Sequence, residues 1–311
     1  MTTALFTHPD SHLHVTPPGH PERVARIEAI DQILSLPEFD ALDRRAAPLV
    51  AAEDLLRCHP QEYIDYVVSS VPETGWASLD GDTHLSPTSL NAVYRSAGAA
   101  TAAVDLVLEG GATNAFCAMR PCGHHAERDT AMGFCFFGNV AVAAKRALDH
   151  HGLERVAVVD FDVHHGNGTQ DLLWEDARAF FVSTHQSPLY PGTGARNERG
   201  RHGQMLNMPF PPHTAGDTYR DAFAREAMPF LEAAKPDLVI VSAGFDAHAA
   251  DPLANMALVA DDFRWVTAQL CDLADTHCAG RLVSALEGGY DLTGLAESTA
   301  AHVTELMTRG D

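Results

Sequence analysis

Between residues 155 and 170 the chain passes from an apolar run, Val156-Ala-Val-Val159, straight into Asp160-Phe-Asp-Val-His-His-Gly-Asn-Gly168. In an extended segment, side chains two apart project the same way. Asp160, Asp162 and His164 therefore share a side where a strand would leave the core. A carboxylate beside an imidazole suits a divalent ion that takes mixed oxygen and nitrogen ligands, such as Zn²⁺ or Fe²⁺. The plainer reading is an Asp-rich turn with an incidental histidine. A second apolar run, Leu238-Val-Ile-Val241, ends in Ser242-Ala-Gly-Phe-Asp-Ala-His248 and offers Asp246 as a third ligand from a neighbouring strand. Two Asp and one His leave a coordination position open, the arrangement of a catalytic rather than a structural metal. Arg120-Pro-Cys-Gly-His-His-Ala126, Ser183-Thr-His185 and Glu287-Gly-Gly-Tyr290 also follow apolar runs and are polar, most of them beside glycines.

These segments need a scaffold that collects strand ends. Strands are expected at 114–119, 155–162, 179–185, 237–243 and 281–286, separated by helical patterns. That alternation reads as βαβ units on a parallel sheet. Ser86-Pro87 opens one helix, with Leu90, Val93, Ala97, Ala100, Val104 and Val107 on its apolar face and Gly110-Gly111 at its end. Others are expected at about 139–150, 218–234, 260–278 and 292–307, with a kink or early break in the third at Pro229. One α/β domain with helices on both faces follows, spanning 1–311. In such sheets ligands bind beyond the carboxyl ends of the strands.

Composition narrows the function. The 311 residues are 46% hydrophobic, with 21 Lys+Arg against 42 Asp+Glu and a formal charge of −21. No basic run is present to wrap a phosphate backbone, so nucleic acid is not expected as a partner. An acidic exterior would favour cationic substrates or simply keep the chain soluble. No apolar run approaches the roughly 18 residues of a membrane helix, and Met1–Asp10 does not read as a signal peptide. The six cysteines form no CxxC pair and read as small core residues of a reduced, cytoplasmic protein. Nothing in the pattern sets an oligomeric state.

The motifs, taken together and in order, resemble those of the histone deacetylase and acetylpolyamine amidohydrolase family. They are Arg120-Pro-Cys-Gly-His-His-Ala126, Gly133-Phe-Cys-Phe-Phe-Gly-Asn139, Asp160-Phe-Asp-Val-His-His-Gly-Asn-Gly-Thr-Gln170, Tyr190-Pro-Gly-Thr-Gly194, Ser242-Ala-Gly-Phe-Asp-Ala247, Asp251-Pro-Leu253 and Leu286-Glu-Gly-Gly-Tyr290. His20-Pro-Glu-Arg23 fits too, and the resemblance runs from about His8 to Ala300. It implies the arginase–deacetylase fold, a mostly parallel sheet of about eight strands between helical layers. It also implies a Zn²⁺- or Fe²⁺-dependent deacetylase with Asp162, His164 and Asp246 as ligands. By the same resemblance His125 is the general base and later acid, and His124 is its electrostatic partner. Asp160 hydrogen-bonds His124, Asn167 faces His125 as in class II-like bacterial members, and Tyr290 donates to the oxyanion. Asp160, Asp162, His164, Ser183 and Thr184 match a structural K⁺ site. Phe134 and Tyr190 line a narrow acyl-lysine tunnel, Gly133 and Gly288 contact the substrate along its walls, and Asp82 matches a rim carboxylate. Leu253 stands where polyamine-directed members often carry an acidic gatekeeper. Many members have Pro at position 122.

The residual histidines and cysteines have modest expectations. His150-His151 reads as a solvated helix end, His12, His14, His202 and His213 as loop residues, and His185 and His248 as either supports of the site or surface. A Cys122–His124 nucleophilic pair is disfavoured, because its neighbours are better used by a metal. Three functions are compared: an acyl-lysine deacylase, an acetylpolyamine or other small-amide hydrolase, and a noncatalytic binding protein that keeps the fold. The complete set of ligands, tandem histidines and Tyr290 counts against the third. Leu253 leans toward the first, whereas the −21 charge suits the second equally well.

Overall fold

The computed structural model describes residues 2–310; Met1 and Asp311, the two ends of the expected 1–311 unit, lie outside the described residues. Its strands are β1 (Thr3–Thr7), β2 (Asp43–Ala46), β3 (Ala77–Ser78), β4 (His84–Leu85), β5 (Asn114–Cys117), β6 (Val156–Asp160), β7 (Ala179–Gln186), β8 (Met205–Phe210), β9 (Leu238–Ala243) and β10 (Leu282–Leu286). Eight of them form one sheet in the order β2-β1-β5-β10-β9-β6-β7-β8, while β3 and β4 pair as a small antiparallel hairpin. Every pairing within the large sheet is parallel.

The five strands expected from sequence are the five contiguous central ones, β5-β10-β9-β6-β7. Buried on both faces, they read as uninterrupted apolar runs. The three the sequence did not disclose lie at the flanks. β2 is Asp-Arg-Arg-Ala, charged as an exposed edge tolerates. β8 carries Asn207 and Pro209, and proline belongs on an edge strand. β1 is a five-residue segment with no helix before it to set the rhythm.

Successive residues of the central strands face opposite layers. Val156, Val158, Ala115 and Ile240 join one apolar cluster with helices Ser89–Leu108 and Asn139–Asp149. Ala157, Val159, Phe116 and Val241 join a second, with helices Val24–Ile33, Ala260–His277 and Leu292–Gly310. The segment around Pro229 differs from expectation. Helix Gly216–Ala222 runs into a wide π turn, Phe223–Ala227, and then into helix Met228–Ala234, without a break. Proline lacks the N–H that would bond the preceding turn, and the π turn just before it takes up the mismatch.

Because the central strands are adjacent and parallel, the loops that leave β5, β10, β9, β6 and β7 all emerge at one edge. Under that edge His302 is fully buried. Its Nδ1 lies 2.7 Å from Thr267 Oγ1 and its Nε2 lies 2.8 Å from Ser284 Oγ. The rings of Phe116, Phe161 and Phe245 surround it. Burial lowers its pKa from 6.5 to about 3. The folded chain thus holds His302 neutral where the unfolded chain binds a proton, so protons favour unfolding between pH 6.5 and about 3. The stabilisation is fully present above pH 6.5 and declines below it. We expect His302→Gln to flatten the dependence of the urea midpoint on pH across pH 6.5 to 4; an unchanged slope would refute this assignment.

Candidate active site

Backbone N–H groups hold the carboxylates at the strand ends. Asp162 accepts from the N–H of His164 at 2.9 Å through Oδ1 and from that of Gly288 at 2.8 Å through Oδ2. Asp246 Oδ1 accepts from Val163 at 2.8 Å, and Asp160 Oδ1 accepts from Asp162 at 3.1 Å. The bonds tie β6, β9 and β10 together beyond their ends. Asp162, His164 and Asp246 are buried, and one ligand atom from each lies within 4.8 Å of the others. His164 Nδ1 stands 3.1 Å from both Asp162 Oδ1 and Asp246 Oδ2. Burial and the neighbouring Asp162 push Asp246 up to about 7. Two carboxylates facing each other out of water require a cation between them or a proton on one of them. With the mixed oxygen and nitrogen donors, that fits a divalent ion of the Zn²⁺ or Fe²⁺ class.

The adjacent histidines are driven apart by their partners. His124 Nδ1 donates to Asp160 Oδ2 at 2.9 Å. Burial would lower its pKa, but Asp162 and Asp160 outweigh that and hold it well above the ordinary value. His125 Nδ1 lies 2.7 Å from Asn167 Oδ1. Burial, then the charges of His124 and His164, hold its pKa well below the ordinary value. The Asn167 amide is oriented by its own donation to Glu127 Oε1 at 2.7 Å, so Oδ1 is the atom that faces the ring. His125 Nδ1 therefore carries the proton and Nε2 is left with its lone pair free.

A cavity of about 350 Å³ opens onto His125, His164 and Tyr290, walled by Gly133, Phe134, Leu189, Tyr190 and Leu253, with His20, Asp82 and His84 toward its mouth. Gly133 is required by space and conformation: its φ is +55°, and a Cβ there would lie 2.4 Å from the His125 ring. Phe134 is held at φ 69°, which costs a non-glycine residue of order 1–3 kcal/mol. Its N–H donates to Thr83 Oγ1 at 3.0 Å, fixing the ring beside the rim. Burial, then Asp80, raise the Asp82 pKa.

Gly288, expected along the wall, does not line the cavity. It lies under the carboxylates, where a Cβ would sit 2.1 Å from Asp246 Oδ2. Ser183 Oγ pairs with His185 Nδ1 at 2.9 Å, and Thr184 Oγ1 lies 3.4 Å from the Asp160 carbonyl and 3.0 Å from the Tyr219 hydroxyl. Tyr190 is exposed at the mouth, and burial of its hydroxyl pushes its pKa above the ordinary value.

Several supports were not expected from sequence. Glu287 is buried, accepting from Gly123 N–H at 2.7 Å and His124 N–H at 3.1 Å, so it holds the tandem-histidine loop. Asp251 accepts the Tyr290 N–H at 2.7 Å. Arg26 donates to the carbonyls of Gly289 and Glu287, each at 2.6 Å, and lies 4.8 Å from the Tyr290 ring centre. Glu22, completely buried, bridges Arg26 at 3.1 Å and Arg120, whose Nη2 is 2.5 Å away. Glu22 and Arg120 lie within quoted motifs, but a charge in a motif does not reveal its burial. His14 lies in a loop, as expected, but is buried, with Nδ1 2.7 Å from Ser89 Oγ. His12 belongs to the short helix Asp10–Leu13 and pairs with Asp31, while His202 and His213 are exposed in loops. His150 is exposed at its helix end, whereas His151 reaches back to Asp105 at 2.7 Å. His185 is buried against the Gly194 carbonyl and His248 is half-buried.

A parallel α/β sheet with a buried Asp₂His cluster and a tandem-histidine pair at its carboxyl edge defines a deacetylase-type hydrolase of the arginase–deacetylase fold. Residues 20–306 match the histone deacetylase domain, and the chain belongs to the histone deacetylase family. It is 44% identical over 285 residues to a histone deacetylase-like amidohydrolase of Pseudomonas aeruginosa, covering 89% of this chain and 74% of that one. A probable deacetylase of Archaeoglobus fulgidus is 35% identical over 320 residues, covering 100% of this chain and 88% of that one. The solved HDA15 HD domain superposes with a TM-score of 0.94 at 32% identity, covering 99% of this chain and 89% of that one.

Glu22 offers a direct test of the buried supports. Removing one partner of a buried ionic group leaves uncompensated charge. Glu22→Gln keeps the shape but strands Arg26 and Arg120, and we expect it to cost about 3–5 kcal/mol in guanidinium unfolding. A loss near zero would mean that the carbonyls around the two guanidinium groups already suffice.

Proposed function

We propose that the chain is a metal-dependent amidohydrolase that removes acetyl or other acyl groups from an amine such as the lysine side chain. The observation that carries this is the Asp162–His164–Asp246 cluster, whose His164 lines a cavity together with His125 and Tyr290. Asp162, His164 and Asp246 would hold Zn²⁺ or Fe²⁺, which when bound supplies a nucleophilic water at neutral pH and polarises the acyl carbonyl. His125 Nε2, left unprotonated by the Nδ1–Asn167 bond, takes the proton from the attacking water and returns it to the departing amine. His124, favoured in its charged form by Asp162 and Asp160, supplies positive potential beside the developing negative charge. Tyr290 donates its O–H to the oxyanion; burial, above all, raises its pKa and keeps that proton in place.

Phe134 and Tyr190 admit a linear chain, and Leu253 gives the mouth an apolar lip, which favours an acyl-lysine peptide or protein. Gly133 would lie against that chain. Asp82 would accept from a peptide N–H. A K⁺-class cation would sit behind the metal loop, where oxygens of Asp160, Ser183 and Thr184 gather. The second reading, an acetylpolyamine hydrolase, is favoured by Asp80 and Asp82 near the mouth and by the −21 charge. In either case residues 1–311 would act as one catalytic unit in the cytoplasm.

The test is hydrolysis of an acetyl-lysine peptide and of N-acetylputrescine by one Zn²⁺-loaded preparation. Turnover of the peptide is expected, with kcat falling about 10²–10³-fold in Tyr290→Phe, the usual effect of losing one oxyanion donor. Turnover of N-acetylputrescine alone would favour the second reading, and hydrolysis of neither would remove both. Leu253→Glu should shift kcat/KM toward the cationic substrate; no shift would dismiss Leu253 as a selector.

A further inference from the structure

Cys122 and Cys135 take no part in the chemistry above, and neither lines the catalytic cavity. Cys122 immediately precedes the Gly123-His124-His125 turn, and Cys135 follows Phe134. Both are buried, and their Sγ atoms lie 3.3 Å apart. One carboxylate oxygen of Glu287 lies within 4.8 Å of both. The remaining thiol partner is a single carbonyl, that of Gly133, 3.3 Å from Cys135 Sγ and 3.9 Å from Cys122 Sγ. Cys58, Cys117, Cys271 and Cys278 belong to no such group among the described residues.

We propose that Cys122, Cys135 and Glu287 form a second metal site, separate from Asp162–His164–Asp246, that takes a soft divalent ion of the cadmium or zinc class. The donor chemistry separates the two sites. Two sulfurs and one oxygen select thiophilic ions, whereas two carboxylates and an imidazole accept harder ones. The spacing is close to what such an ion needs: two thiolates about 2.3 Å from a tetrahedral ion stand roughly 3.8 Å apart. The observed 3.3 Å requires only a small opening of the pair. Binding exchanges two S–H bonds for two metal–sulfur bonds and releases both protons to solvent, so the ion's charge replaces that of the protons.

Glu287 couples this site to the reaction. Its Oε2 also accepts the N–H groups of Gly123 and His124. An ion that draws on the carboxylate therefore pulls on the backbone that sets His124 and His125, and occupancy slows hydrolysis.

The test uses the full chain with its catalytic site loaded with Zn²⁺ and its thiols kept reduced by a phosphine, titrated with Cd²⁺ alone. Expected are an ultraviolet thiolate-to-cadmium charge-transfer band saturating at one ion per chain, two protons released per ion, and activity lost in parallel. X-ray absorption at the cadmium edge should count two sulfur neighbours. The catalytic cluster contains no sulfur, so that count on the unsubstituted chain separates the sites without relying on a variant. Cys122→Ala and Cys135→Ala should each abolish the band and leave turnover insensitive to the added Cd²⁺. Absence of the band in the unsubstituted chain, a cadmium shell of oxygen and nitrogen only, or a band that persists in both variants would overturn the proposal.

Discussion

The edge of the sheet that carries the site is built around carboxylates without water. Glu22, Asp160, Asp162, Asp246 and Glu287 have no exposed surface, and they lie within one connected region. Burying a charge is costly unless it is paired or hydrogen-bonded, and the partners are guanidinium groups, an imidazole and backbone N–H groups. Glu22 has two guanidinium groups, which overcome burial and hold its pKa down to about 2. Asp160 has the His124 imidazole. Asp162 and Glu287 have pairs of backbone N–H groups, and Asp246 has one, with His164 Nδ1 3.1 Å from both Asp162 and Asp246. Where those two carboxylates and His164 converge, a divalent ion fits.

The buried carboxylates also bear on the asymmetry of His124 and His125. Their ring centres are 4.0 Å apart, yet one is held charged and the other neutral. For His124 the charges of Asp162 and Asp160 outweigh burial, whereas for His125 burial and the charges of His124 and His164 prevail. A carboxylate stabilises the imidazolium, whereas an amide oxygen fixes the tautomer with a weaker pull on the charge. The hydrogen-bond partners that orient the two rings stand 36 and 42 positions further along the chain.

The cavity depends on the same supports. Arg26 and Asp251 position the backbone and ring of Tyr290 from opposite ends of the chain, and Thr83 anchors Phe134 from the hairpin loop. The reacting groups therefore rest on segments that individually have no chemistry to perform. Site geometry held by packed neighbours and hydrogen bonds is what keeps reacting groups within productive reach.

Much of this could be read from the chain alone. The apolar runs before Asp160 and Asp246 determined two central strands and put the three candidate ligands at their ends, because strand periodicity and burial on both faces are local properties. The ordered motifs supplied the remaining candidate site residues and the family. The flanking strands β1, β2 and β8 were not legible, since edge and terminal strands need not be apolar. The supports were harder still. Glu287, Asp251 and Arg26 are charged residues that a sequence reading would leave in water. Gly288 was expected against the substrate but lies beneath the ligands. Only tertiary structure decided these, because burial, the partner of a charge and the direction a loop takes depend on segments up to 263 residues apart.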